Sequence, residues 1–174
     1  MADDPPRLFE DTRDLLIELD QAQVDFIVVG AHALAAHGLT RATADFDVFV
    51  RPSRENAERL YRALLAFGAP LGAHGVETDH FTLPGMVYQL GLPPRRIDIL
   101  TTISGLDFEA AWSSRLVVDV GEIRLPVLGR EALIRNKLAS GRKKDLLDVE
   151  ALQRIDQRPA VGAEKETEPS DREP

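Results

Sequence analysis

The segment Thr43–Val50 reads TADFDVFV, and its alternation of carboxylates with apolar residues constrains the fold more than any other stretch. A β-strand sends successive side chains to opposite faces, so Asp45 and Asp47 point one way while Phe46 and Val48 point the other. Two adjacent carboxylates repel, and a fold avoids them unless a cation or solvent screens the charge. Asp98 repeats the context: RIDIL sets one acid between isoleucines, and an acid in an apolar strand is costly when unpaired. A hard divalent cation such as Mg²⁺ accepts carboxylate oxygens, with waters and substrate phosphates completing its shell. Three acids on adjacent strands could hold one or two such ions. The plain alternative is an exposed strand face for Asp45 and Asp47 and a strand end for Asp98.

Helix and strand signals alternate around this segment. Leu8, Leu15, Leu16 and Leu19 lie at helical spacing and predict a first amphipathic helix over Leu8–Asp20. Val24–Val29 is a short apolar run ended by Gly30, as a buried strand would be, and Ala31–His37 followed by Gly38 predicts a short helix. After the strand Phe46–Val50, Ser53 caps a long helix that Gly68 closes. Strands are expected at Met86–Leu90 and Arg96–Leu100 around the turn GLPP, with a hairpin of Leu116–Val120 and Ile123–Val127. A short helix covers Phe108–Trp112, and Arg130–Ala139 and Lys143–Ile155 close the domain as two helices. The sum is an α+β domain with a mixed sheet over residues 1–156. Residues 157–174 hold Val161 as their only large aliphatic residue and three prolines, so they read as a disordered tail.

Composition then excludes whole classes. The chain of 174 residues has no cysteine, so thiolate zinc sites, disulfides and cysteine nucleophiles are ruled out. A net charge of −8 disfavours sequence-independent binding to long duplex DNA, while leaving room for a local basic pocket. No apolar run approaches the roughly 20 residues that span a bilayer. The opening MADDPPRLFED lacks the basic-then-apolar order of a signal peptide. The expectation is a soluble, cytoplasmic protein without membrane contact. His74, Glu77, Asp79 and His80 form a loose polar group that matches no zinc spacing.

Ahead of the acids, VVGAHALAAHG runs a strand through Gly30 into a helix, a place where backbone N–H groups can face a phosphate. Gly30-Ala31, then Asp45-x-Asp47, then Asp98, in that order, resemble the nucleotidyltransferase superfamily of the DNA polymerase β type. The longer likeness is to small bacterial nucleotidyltransferases related to AbiE-type toxins. It is carried by VVGAHALAAHGLTRATADFDVFV, PPRRIDILTTISGLDFEAAW and LIRNKLASGRKKDLLDVEAL. The resemblance implies that Gly30 opens a phosphate turn, that Asp45 and Asp47 bind metal, and that Asp98 is a third acid that helps activate the attacking hydroxyl. It further implies that Lys137 contacts nucleotide phosphates and that Asp145 or Asp148 is an acid needed for the chemistry. Where the family's turn has Gly-Ser or Gly-Gly, this chain has Ala31, which keeps the backbone N–H but offers no hydroxyl.

Arg41 and Thr43 precede the acids, and Arg41 is suited either to clamp a phosphate or to pair with a neighbouring acid. Arg135–Lys144 carries Arg135, Lys137, Arg142, Lys143 and Lys144 without an acid, either a seat for phosphates or a solvated surface. The nucleotide-binding set is thus Gly30, Ala31, Arg41, Thr43, Lys137 and Arg142. The expected activity is Mg²⁺-dependent transfer of NMP from an NTP to a hydroxyl, with Mn²⁺ as the alternative cation. By resemblance the acceptor is tRNA or protein, and an antitoxin partner is compatible with that setting. Two other readings stay open: a nucleotide- or partner-binding module that has lost turnover, and an enzyme that modifies small antibiotics.

Overall fold

The computed structural model describes residues 9–43 and 45–156; the tail read at 157–174 lies outside the described residues. In chain order the elements are α1 (Glu10–Gln21), β1 (Phe26–Val29), α2 (Gly30–Ala36), β2 (Asp45–Val50) and α3 (Arg54–Phe67). A 3₁₀ turn at Thr78–Thr82 leads to β3 (Val87–Leu90), β4 (Arg96–Leu100) and α4 (Phe108–Ser113). The hairpin β5 (Leu116–Val120) and β6 (Ile123–Val127) precedes α5 (Arg130–Ser140) and α6 (Lys143–Asp156). The six strands form one sheet in the order β3-β4-β2-β1-β6-β5. β2 runs antiparallel to β1 and parallel to β4, and β1 runs parallel to β6. This is the mixed sheet of an α+β fold, as the alternation of signals predicts.

Local chemistry explains the elements that hold the acids in place. β1 is buried along its whole length, which is why its sequence, FIVV, carries no polar alternation. Leu15, Leu16 and Leu19 of α1 are fully buried with Ile27, Phe49, Leu60 and Leu64. Each such side chain contributes about 2 kcal/mol of apolar burial. The Ser53 hydroxyl accepts from the Asn56 backbone N–H, and Gly68 closes α3 in the left-handed conformation, φ 90°. Asn56 is itself buried. Its side chain accepts from the Asp25 N–H at 2.7 Å and donates to the carbonyls of Asp25 and Arg51 at 3.0 Å. One amide therefore ties α3 to the start of β1 and the end of β2.

Where the structure departs from the sequence reading, the causes are local. β1 starts at Phe26, two residues later than expected, because Gln23 adopts φ 55° and the chain turns there. The polar group around His74 runs from a turn into the 3₁₀ segment. Glu77 and His80 cap the 3₁₀ turn reciprocally, and His74 Nδ1 meets the Tyr88 hydroxyl at 3.1 Å. Among the described residues, no helix is long and apolar enough to cross a membrane.

Candidate active site

Asp45 and Asp47 project from β2 on the face opposite the buried Phe46 and Val48. The parallel register sets Asp47 opposite Asp98 and Asp45 opposite Arg96, so all three acids meet on one face of two adjacent strands. On its other side Asp47 is opposite Val29, the last residue of β1. The next residue, Gly30, has φ 67°, and a Cβ built there would overlap Asp47 Oδ2 and stand 3.1 Å from Asp47 Cγ. Glycine is required at this junction twice over, by its backbone conformation and by the carboxylate lying against it. The sequence reading gave Gly30 a phosphate; the structure also gives it Asp47.

Arg96 occupies the centre of the acids. Its Nε donates to Asp98 Oδ1 at 2.9 Å, and its Nη2 donates to Asp45 Oδ2 at 2.8 Å and to Asp98 Oδ2 at 3.2 Å. Gln89 on β3 adds a donor to Asp98 Oδ2 at 3.3 Å. Asp45 Oδ1 is buried and has no hydrogen-bond partner among the described residues. Burial, with the charges of Asp98 and Asp45 beside it, pushes the Asp47 carboxyl up to about 6, although Arg96 and Lys144 pull it back. Lys144, on the first turn of α6, thus acts on Asp47 through its charge alone. Arg96 was not singled out from the sequence, and Lys144 was read there only as a member of the basic run Arg135–Lys144. The alternation in Arg96-Ile97-Asp98 is the signal that puts the arginine on the acid's face.

The donor set suits a hard divalent cation: carboxylate oxygens only, one of them orphaned and buried, with negative charge in excess. The described residues do not yet gather three ligands tightly enough to enclose an ion. Arg96 engages both oxygens of Asp98 and one of Asp45 in this arrangement.

A second polar network lies between α5 and α6. Lys137 is buried, and its Nζ donates to Asp145 Oδ1 at 2.7 Å and pairs with Asp148 Oδ2 at 2.9 Å. Asp145 Oδ2 also accepts from Ser140 and Arg142, both at 2.6 Å, and Asp148 pairs with Arg41. Lys137, Arg142, Asp145 and Asp148 thus come together, with Arg41 as their link toward the strand acids. Both carboxylates are committed to cations of the chain itself, and the Lys137 ammonium is held between them. Thr43 Oγ1 donates to the Asp45 carbonyl at 3.0 Å and accepts from its N–H at 3.2 Å, which sets the start of β2. Ala31 follows Gly30 in α2, half-buried. A cavity of about 180 Å³ opens beside Asp45, at the start of β2, lined among others by Arg41, Thr43, Arg95 and Arg96 with the rings of Phe9 and His32.

With the fold and these residues in view, likeness to known proteins can be weighed. No curated protein matches the chain. A crystal structure from Thermotoga maritima, of a protein described as a candidate nucleotidyltransferase, superposes with a TM-score of 0.50 at 16% identity. The match covers 84% of this chain and 91% of that one, and it supports the fold. Residues 6–158 match the family described as "Nucleotidyltransferase of unknown function (DUF6036)", and the chain belongs to this nucleotidyltransferase family.

Proposed function

We propose that the protein is a divalent-cation-dependent nucleotidyltransferase that moves NMP from an NTP to a hydroxyl of tRNA or protein. The observation that carries this reading is the convergence of Asp45, Asp47 and Asp98 on one face of β2 and β4, with a buried Asp45 oxygen that no group among the described residues satisfies. Asp45 and Asp47 would hold Mg²⁺, with Asp98 completing the set. Bound there, the ion would neutralise phosphate oxygens and lower the pKa of the attacking hydroxyl.

The chain's own residues have distinct tasks in this scheme. Gly30 leaves room for Asp47 and exposes backbone N–H groups at the start of α2. Arg41 and Arg96 border the cavity where a phosphate-bearing substrate would lie. Asp98 takes the acceptor's proton. The acceptor oxygen bonds to the α-phosphorus, the bond from that phosphorus to the bridging oxygen breaks, and pyrophosphate leaves with the electron pair. Lys137 and Arg142 act on Asp145 and Asp148, which makes them positioning residues in this scheme. A role in a toxin–antitoxin pair would follow from the AbiE-type resemblance and needs an acceptor whose modification stops growth.

The non-catalytic reading has one observation in its favour, the Arg96 guanidinium already seated on Asp45 and Asp98. One assay separates the two. Purified protein is supplied with Mg²⁺, each NTP labelled at the α-phosphate, total tRNA and a cell lysate, with Asp45→Ala alongside. Label is expected in RNA or in protein, and the variant is expected to lose it. Labelling that survives in Asp45→Ala would remove the acids from the mechanism, and NTP binding without labelling would favour the module.

A further inference from the structure

Arg96 makes three hydrogen bonds to the acids and also lines the adjoining cavity. Those bonds use both oxygens of Asp98 and one of Asp45, so a divalent cation that draws on Asp98 competes with the guanidinium there, while Asp45 Oδ1 and the Asp47 carboxylate lie outside these bonds. The three carboxylates and one guanidinium sum to −2, so an arriving divalent cation is electrostatically welcome even though Asp98 and one Asp45 oxygen are engaged. The Arg96 side chain is 28% exposed, so packing does not lock it in place.

The neighbouring arginines are differently placed. Arg41 is held by the buried Asp148, and Arg95 lies over the Phe9 ring with its guanidinium carbon 5.5 Å from the centroid. Arg96 is the cavity arginine whose present partners would be claimed by a cation. A guanidinium deprived of carboxylates binds phosphate well, since its planar fork matches two phosphate oxygens.

We infer that Arg96 is a two-position clamp: it holds Asp45 and Asp98 until a divalent cation takes them, and then grips an anionic phosphoryl group of the substrate in the cavity. This rests on the reading that the three acids bind a divalent cation. It makes cation and phosphate binding mutually reinforcing, because each removes part of the cost of releasing Arg96, and such coupling is reciprocal. The site would bind a bare cation weakly and a cation–polyphosphate complex well. The chain thus carries its own guard against idle metal loading.

The test uses Mn²⁺ and inorganic tripolyphosphate on the full chain, read by Mn²⁺ electron spin resonance and by calorimetry. Without polyphosphate, Arg96→Gln is expected to bind Mn²⁺ at least about fivefold more tightly than wild type. Arg96→Lys should also tighten Mn²⁺ binding, because an ammonium keeps the charge but cannot bridge two carboxylates with a planar fork. With Mn²⁺ saturating, Arg96→Gln should bind tripolyphosphate at least about fivefold more weakly than wild type. Unchanged Mn²⁺ affinity in Arg96→Gln would overturn the inference. So would Arg96→Lys matching wild type while Arg96→Gln binds more tightly, since charge alone would then explain the effect. Unweakened tripolyphosphate binding would refute the second position. Asp45→Asn separates the levels: wild type and Asp45→Asn binding Mn²⁺ equally would remove the metal reading itself, and the clamp with it.

Discussion

Asp47 has the least comfortable surroundings of the three acids, and its behaviour is the most direct check at the scale of single residues. Burial and its acidic neighbours raise its carboxyl to about 6. Between about 4, the unfolded value, and 6 the folded chain therefore binds a proton that the unfolded chain has released. Stability from this group is full below about 4 and declines as pH rises through 6. In chelator, stability should fall between pH 4.5 and 7 by an amount of order 1 kcal/mol after solvent screening, seen as a lower melting temperature. Asp47→Asn should flatten that slope, and calorimetry at a series of pH values would show a persisting slope if another group were responsible. Gly30→Ala should cost about 1–3 kcal/mol, because it forces a Cβ into a left-handed backbone position and against Asp47. Urea denaturation measures that cost, and Mn²⁺ titration of the same variant reads the displaced carboxylate. The three acids were legible in the sequence because period-two alternation aims side chains without any knowledge of the fold. Arg96 obeys the same alternation, but its partner Asp45 lies 51 residues away, and only the β2–β4 register brings them together.

At the level of elements, the pairing of α5 with α6 depends on Lys137. Lys137→Met should destabilise the protein by about 3–5 kcal/mol, since it leaves Asp145 and Asp148 buried without their shared cation. A denaturation midpoint equal to wild type would show the network to be dispensable. Burial opposes ionisation of Asp145, but Lys137, Ser140 and Arg142 overcome it and hold the carboxyl down to about 2. That contribution is present above the unfolded value near 3.9 and is lost as pH falls through 2. Asp145→Asn should therefore narrow the gap between acid and neutral stability in acid-titrated circular dichroism. Helix ends and the β5–β6 hairpin were readable because glycine stops, the Ser53 cap and turn residues act locally. Which faces of α5 and α6 would meet was not readable. A run holding Arg135, Lys137, Arg142, Lys143 and Lys144 looks like one basic surface, yet Lys137 is turned inward onto two acids.

The molecule as a whole carries −8, so any RNA acceptor meets overall repulsion and a small basic rim. Arg41, Arg95, Arg96 and Lys144 are the cations that the site offers, and four neutralised phosphates correspond to a salt slope of about −3 for single-stranded ends. Anisotropy titrations of labelled tRNA across a KCl series should give a slope no steeper than this; a steeper one would place the RNA on a different surface. The strand order has a further consequence, for a chain still emerging from the ribosome. β2 and β4 are both complete by Leu100, so the acidic face can form early, whereas β1 must wait for β6. The last residues of those two strands, Val29 and Val127, lie 98 positions apart. At bacterial and eukaryotic elongation speeds, β1 spends on the order of 5–20 s with one edge unpaired. Such an edge is the place where a nascent chain recruits a chaperone or pairs wrongly, so the vulnerable interval in this protein's life closes just before α5 is translated.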